Sequence, residues 1–199
     1  MKRFLRFSVR SILLATLVIA VAFGFAANRY RKIKAANVAI RDAGGKCGIS
    51  VDGPQWLRQI VQDDDYFTNV ASISIHRTRT FGDPHFNNER LSELIPHINQ
   101  FSEFSTLSLR SDVTDDGLSL LADLPRLRNL DICSPSVTDA GIANLHELTE
   151  LRSLLVGRGI SEHALDELQS ALPKLKIRRF VKTNGKTSLV QYVPINPMQ

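Results

Sequence analysis

Residues 113–118 read VTDDGL, residues 137–142 read VTDAGI, and residues 160–165 read ISEHAL. A hexapeptide written twice, 24 positions apart, and then approximated a third time constrains the fold more than any other feature. Self-similarity at such a period marks a local structure that stacks on copies of itself. Each hexapeptide follows a stretch of one shape: FSTLSLR (104–110), LRNLDIC (127–133) and LRSLLVG (151–157). All three end in apolar-x-apolar alternation, the period-two signal of a half-buried strand. VASISIH (70–76) has the same pattern earlier in the chain.

Inside the hexapeptides, Thr114, Thr138 and Ser161 stand where a hydroxyl can cap the free amides of a first helical turn. Asp115, Asp139 and Glu162 follow, where negative charge suits the positive end of the helix dipole. Leu118, Leu121 and Leu124 then recur as Ile142, Leu145 and Leu148, and as Leu165, Leu168 and Leu172. Each set lies on one helical face. The unit is a strand, a turn and a short amphipathic helix, 23 or 24 residues long. Alone it has nothing to bury its apolar sides against; stacked units bury them against one another. The expected fold class is α/β, with a parallel sheet on one face and helices on the other.

This pattern resembles the leucine-rich repeat family, in particular its cysteine-containing type with ITDxGL-like segments, over residues 104–177. The resemblance implies a short solenoid of strand-turn-helix units, with a degenerate repeat over 70–103 in which Phe81-Gly82-Asp83 stands in for the VTD segment, before an insertion around PHFNNER. Residues 1–67 are similar to the start of short bacterial membrane-anchored proteins with such repeats, through Gly44–Gly45, Trp56-Leu57-Arg58 and Tyr66-Phe67. Two departures stand out. Ile132 to Val137 spans five positions where the other units use four, and Pro135 occupies a position the family gives to a hydrogen-bonding residue; proline has no amide to donate. Cys133 lies two positions before the family's signature cysteine and reads as an ordinary strand residue.

A solenoid this short needs both ends covered. Residues 28–43 read as a helical stalk ended by Gly44–Gly45, 46–54 as a strand closed by a Gly-Pro turn, and 54–67 as a helix with Trp56, Leu57, Ile60 and Val61 on one side. Trp56 beside three aliphatics reads as core. At the other end, residues 177–193 read as a hairpin around Asn184–Gly185, a favoured turn pair. The expected domains are therefore an anchor (1–34), a stalk and first cap (35–69), the repeats (70–176), and a closing hairpin with a loose tail (177–199).

Residues 12–27, opening on Ile12 and closing on Ala27, contain no charge, with Lys2, Arg3, Arg6 and Arg10 before them and Arg29, Arg31, Lys32 and Lys34 after. Sixteen helical residues span about 24 Å, and snorkelling basic side chains make up the shortfall against a ~30 Å hydrocarbon core. A cleaved signal peptide is the competing reading, with AVA (20–22) and Ala26-Ala27 as small residues for cleavage. The apolar run continues past AVA into a dense positive cluster, which is unfavourable for export, so an uncleaved single-pass anchor is expected. Equal basic counts on both sides give the positive-inside rule no vote. The short tail is the easier end to leave in the cytoplasm, which puts the folded part on the extracytoplasmic side; the resemblance implies a bacterial inner membrane.

The remaining charge is uneven. Residues 35–173 carry 11 Lys/Arg against 20 Asp/Glu, a net charge of −9, while 174–199 carry six basic residues and no acid. An acidic folded part argues against a nucleic-acid surface. His76, His85, His97, His146 and His163 form no metal-ligand spacing, Cys47 and Cys133 no CxxC, and the Asp63-Asp64-Asp65 run reads as solvated surface. No phosphate loop, GxSxG or HExxH occurs, so no catalysis, cofactor or small-molecule substrate is expected. The resemblance implies instead a sheet face for a protein partner. The strand phase puts Ser72, Ser74, His76, Thr106, Ser108, Arg110, Asn129, Asp131, Cys133, Ser153, Leu155 and Gly157 outward; of these His76, Thr106, Ser108, Arg110, Asn129, Asp131, Ser153 and Leu155 are the candidate contact residues. Arg77 and Arg79 add a positive corner, and the basic residues of 174–186 are placed to meet anionic lipid if that end lies near a bilayer. Two functions compete: a membrane-anchored interaction module, and a structural cell-envelope component whose polar sheet face is merely solvated.

Overall fold

The computed structural model describes residues 9–51, 68–76, 86–183 and 186–194. The expected helix at 54–67, the Phe81-Gly82-Asp83 segment, Arg77, Arg79 and the Asn184–Gly185 turn lie outside them. A mixed α/β fold is built on one open seven-stranded sheet in sequence order. The strands are β1 (Gly45–Val51), β2 (Thr68–His76), β3 (Thr106–Arg110), β4 (Asn129–Ile132), β5 (Ser153–Val156), β6 (Lys176–Thr183) and β7 (Lys186–Gln191). The helices are α1 (Val9–Asp42), α2 (Asn88–Ile98), α3 (Asp115–Ser119), α4 (Asp139–Ala143) and α5 (Glu162–Ala171). Strands β2 to β6 are parallel, and each edge strand is antiparallel to its neighbour.

Thr106, Asn129, Ser153 and Lys176 face one another across the sheet, at steps of 23, 24 and 23 residues. Leu107, Leu130, Leu154 and Ile177 form the adjoining inward row, and Leu109, Ile132 and Val156 the next, all at most 2% exposed. The helix-side triplets expected from the sequence are buried at 7% exposure or less. The helices of the two closest repeats are shorter than their apolar spacing suggests. After five residues each, α3 and α4 tighten into 3₁₀ turns, Leu120–Asp123 and Asn144–Glu147. Leu124 and Leu148 then leave helical geometry with ψ near 70°, and both still reach the core.

The hexapeptide does more than start helices. Asp115 accepts the Thr138 amide at 2.8 Å through Oδ1 and the Thr138 hydroxyl at 2.6 Å through Oδ2. One unit later, Asp139 accepts the Ser161 amide at 2.8 Å. One unit earlier, Asn88 accepts the Thr114 amide at 3.0 Å and donates to the Thr114 hydroxyl at 2.7 Å. The Thr114 hydroxyl, so engaged, does not cap its own helix, contrary to the sequence expectation; Thr138 and Ser161 do cap theirs. Glycine in the hexapeptide has the same origin. A Cβ on Gly117 would overlap Oδ1 of Asn88, and one on Gly141 would overlap Oδ1 of Asp115 and lie 3.1 Å from its Cα.

The first unit corrects the expected placement of its helix start. Phe86, Asn87 and Asn88 occupy the positions of Val113, Thr114 and Asp115: Phe86 is buried, Asn87 caps α2 by accepting from Arg90, and Asn88 bridges to Thr114. PHFNNER is thus the helix start itself, with no insertion needed. The loss at Pro135 is also compensated. Ser134, buried beside it, donates from Oγ to the Val113 carbonyl at 2.6 Å and accepts the Ser136 amide at 3.3 Å.

Both ends are covered. Ile33, Ala36 and Ile40 of α1 are at most 3% exposed and join the core, with Cys47 of β1 packed beside them. Stalk and anchor are one continuous 34-residue helix, ended at Gly44 with φ of 76°. Between Leu13 and Phe25 that helix carries eight large apolar side chains 59% to 76% exposed. It is long and apolar enough to cross a membrane. At the other end Tyr192, 6% exposed, donates to Asp166 of α5 at 2.6 Å. Arg179 donates to Glu162 at 2.6 Å and stacks over the Tyr192 ring at 5.5 Å.

Two expected outcomes follow from these contacts. Asp115→Ala leaves the Thr138 amide without its acceptor and lowers stability by about 1–2 kcal/mol. Asp115→Asn, which can bond as Asn88 does, and the exposed neighbour Asp116→Ala each stay within about 0.5 kcal/mol of wild type. Chemical denaturation of the three variants checks the order. At the far end, burial first and the Asp166 carboxylate second push the Tyr192 phenol up to about 12. The neutral phenol is the form the fold favours, so its contribution is complete below the ordinary pKa of about 10 and is lost as pH rises towards 12. Tyr192→Phe removes that alkaline dependence and lowers stability by about 1–2 kcal/mol at neutral pH, which denaturation across neutral to alkaline pH measures.

Candidate interaction surface

One face of the sheet is covered by helices and the other is open. Strand register arranges the open-face side chains in rows. One row runs Ser72, Thr106, Asn129, Ser153, Lys176, and the next Ser74, Ser108, Asp131, Leu155, Arg178, Gln191. His76 pairs with Arg110 at the end of β2 and β3. The register therefore brings all eight candidate residues onto one surface.

Their chemistry centres on Asp131. Its Oδ2 accepts from Arg110 Nη2 at 3.0 Å and from Ser108 Oγ at 3.2 Å, and its Oδ1 accepts from Cys133 Sγ at 3.4 Å. Beside it Asn129 donates to Thr106 Oγ1 at 3.0 Å. Five of the candidates and Cys133 are thus tied across β3 and β4. The Arg110 side chain remains 46% exposed while Asp131 is 22% exposed, so the carboxylate holds a guanidinium out towards solvent. Cys133 lies one residue beyond β4. Burial first, then the Asp131 charge and the hydrogen bond to it, push its thiol up to about 11, which leaves it protonated and unreactive at neutral pH.

Leu155 departs from expectation. It points to the open face, between Asp131 and Arg178 in its row, yet is only 7% exposed and lies apart from the main core cluster. It supports the surface without offering a free contact. Lys176 and Arg178, exposed continuations of the same rows, were placed by the sequence reading with the closing cap. Counting one more 23-residue step from Ser153 finds them. Ser153 is half-buried and His76 exposed.

On the helix side, a cleft of about 260 Å³ lies between α1 and α2, bordered by Asp42, Arg90, Glu93 and His97. His97 Nδ1 is buried there without a hydrogen-bond partner. Among the described residues, no group of three or more His, Cys, Asp or Glu side chains is placed to hold a metal ion. Both cysteines are free. No family model matches this chain, and no curated protein matches it either.

The Asp131 centre makes Cys133 a reporter of the surface. In a Cys47→Ser background, Asp131→Asn removes the charge that helps hold the thiol protonated. The expected result is faster alkylation of Cys133 at fixed pH, by roughly an order of magnitude for each unit its pKa falls. An unchanged rate would mean that burial alone sets that thiol.

Proposed function

We propose that this is a single-pass membrane protein of the leucine-rich-repeat type, whose open sheet face binds a partner protein without catalysis. The repeat reading is supported by the 23–24-residue step of parallel strands, each followed by a short helix, and by the side-chain bridges that join successive helix starts. Anchoring is supported by α1, whose outer part is apolar and exposed on all sides. A helix apolar all round needs a lipid or protein environment on every face. The folded part stands on the extracytoplasmic side in this reading.

One observation carries the binding role: Arg110 is held outward by Asp131 at 3.0 Å, in the middle of a face that no element covers among the described residues. A pre-positioned guanidinium loses less side-chain freedom on binding than a loose one, and arginine is enriched where binding energy concentrates.

Photo-crosslinking in native membranes tests the assignment. A crosslinker placed at Ser108 or Ser153, on the open face, is expected to yield a discrete product that Arg110→Glu abolishes. The same group at Ser119 or Ser170, exposed on the helix side, is expected to yield none. Equal labelling from both sides would overturn the binding role and favour a structural envelope component.

A further inference from the structure

The long helix meets the folded part with little slack. The uncharged run closes at Ala27, and Ile33 is already 3% exposed against the core. Six helical residues rise about 9 Å, close to the roughly 5–7 Å depth of one headgroup layer. If residues 12–27 span the bilayer, as the proposed function has it, the first repeat helix rests on the membrane surface and not on a tether.

That short interval is densely cationic. Arg29, Arg31, Lys32 and Lys34 fall within six positions, all exposed, and no Asp or Glu precedes Asp42. At about 100° per residue these four spread around the whole circumference of α1. Ile33, Ala36 and Ile40 take the face turned to the fold. Cations on every side suit a helix ringed by headgroups better than one docked on a single partner. Tyr30 reinforces the level: its hydroxyl accepts from Lys34 Nζ at 3.2 Å and its ring lies 5.5 Å from that nitrogen. Tyrosine at the end of an apolar span favours the water–lipid boundary.

We propose that Arg29, Arg31, Lys32 and Lys34 form a collar that binds anionic phospholipid headgroups where the folded part meets the bilayer. Guanidinium and ammonium groups donate charge-assisted hydrogen bonds to phosphate oxygens. Phosphates between them also relieve the mutual repulsion of four like charges on two turns of helix. This rests on the transmembrane reading, and the outcomes below separate the two.

The test uses the full chain, purified in detergent and stripped of lipid, with native mass spectrometry as readout. Phosphatidylglycerol, phosphatidylcholine and inorganic phosphate are titrated separately and in competition. Each cation near an anionic surface contributes about fivefold, so three give roughly a hundredfold preference for phosphatidylglycerol over phosphatidylcholine. Arg29→Gln, Arg31→Gln and Lys32→Gln together are expected to remove at least about tenfold of that preference. Lys176→Gln with Arg178→Gln, at the other end of the sheet, is expected to keep it. Equal thermal melts of the two variants confirm that both are folded. Equal retention of the two lipids by wild type, or an unchanged preference in the triple variant, overturns the collar. Displacement of phosphatidylglycerol by inorganic phosphate at matched concentration reassigns the cations to a soluble anion and overturns the lipid reading. Release of the chain from membranes by alkaline carbonate overturns the anchor itself, a failure distinct from loss of lipid preference in an embedded chain.

Discussion

An acceptor at the start of one helix holding the amide at the start of the next is the contact on which the stack depends. Apolar rows supply most of the stabilisation, but burial has no direction and tolerates sliding. A charged or amide oxygen on a single N–H does not. Asn88, Asp115 and Asp139 each fix one such bond on the helix side, at 3.0, 2.8 and 2.8 Å, while the parallel ladder fixes spacing on the strand side. Two sets of directed bonds, one at each side of the core, define how a unit lies on its neighbour. Gly117 and Gly141 follow from this, since the acceptor's carboxylate or amide occupies the space a side chain there would need.

This explains which features were legible in the sequence and which were not. Strand phase, helix faces and the 23–24-residue step show up as apolar spacing, because burial acts on residue type alone. The bridges between units do not. Asp after Thr at a helix start has a sufficient local explanation in capping and the dipole, so nothing at sequence level points to a partner 23 residues away. The first unit was misplaced for the same reason: Phe86-Asn87-Asn88 matches VTD in role but shares no residue with it. Leu155 failed differently. Alternation gives direction, and direction was right; exposure also depends on the long neighbours in the row, Asp131 and Arg178. Cys133 read as an ordinary strand residue, whereas its thiol belongs to the Asp131 centre on the open face.

The two faces of the sheet divide the work. The inward rows are almost uniformly Leu, Ile and Val and accept few changes, so variation in character is left to the outward rows. There the surface grades along the stack. Small hydroxyl side chains, Ser72, Ser74, Thr106 and Ser108, dominate near β2 and β3, and Lys176 and Arg178 stand at β6. Asp131 and Arg110 lie between, where one carboxylate organises four residues on two strands. A partner meeting this face would find its fixed polar groups at the centre and its basic ones towards the closing end, away from α1.

A series of bridges must also end, and the degenerate third hexapeptide is where it does. Glu162 occupies the position of Asp115 and Asp139, but no further helix start follows. Its longer side chain reaches the sheet and accepts from Arg179 of β6 at 2.6 Å. Arg179 in turn lies over Tyr192, whose hydroxyl bonds Asp166 on the same helix and sits 3.2 Å from the Glu162 carbonyl. The oxygen that would have held another unit is consumed by the cap. At the same place the chain reverses, with β7 antiparallel to β6, so the run of parallel strands stops with the bridges. ISEHAL therefore differs from VTDDGL because the contact it makes is different: glutamate for reach to an arginine, and alanine where glycine is no longer required. The departure from the repeat is itself the signal that the stack has been closed.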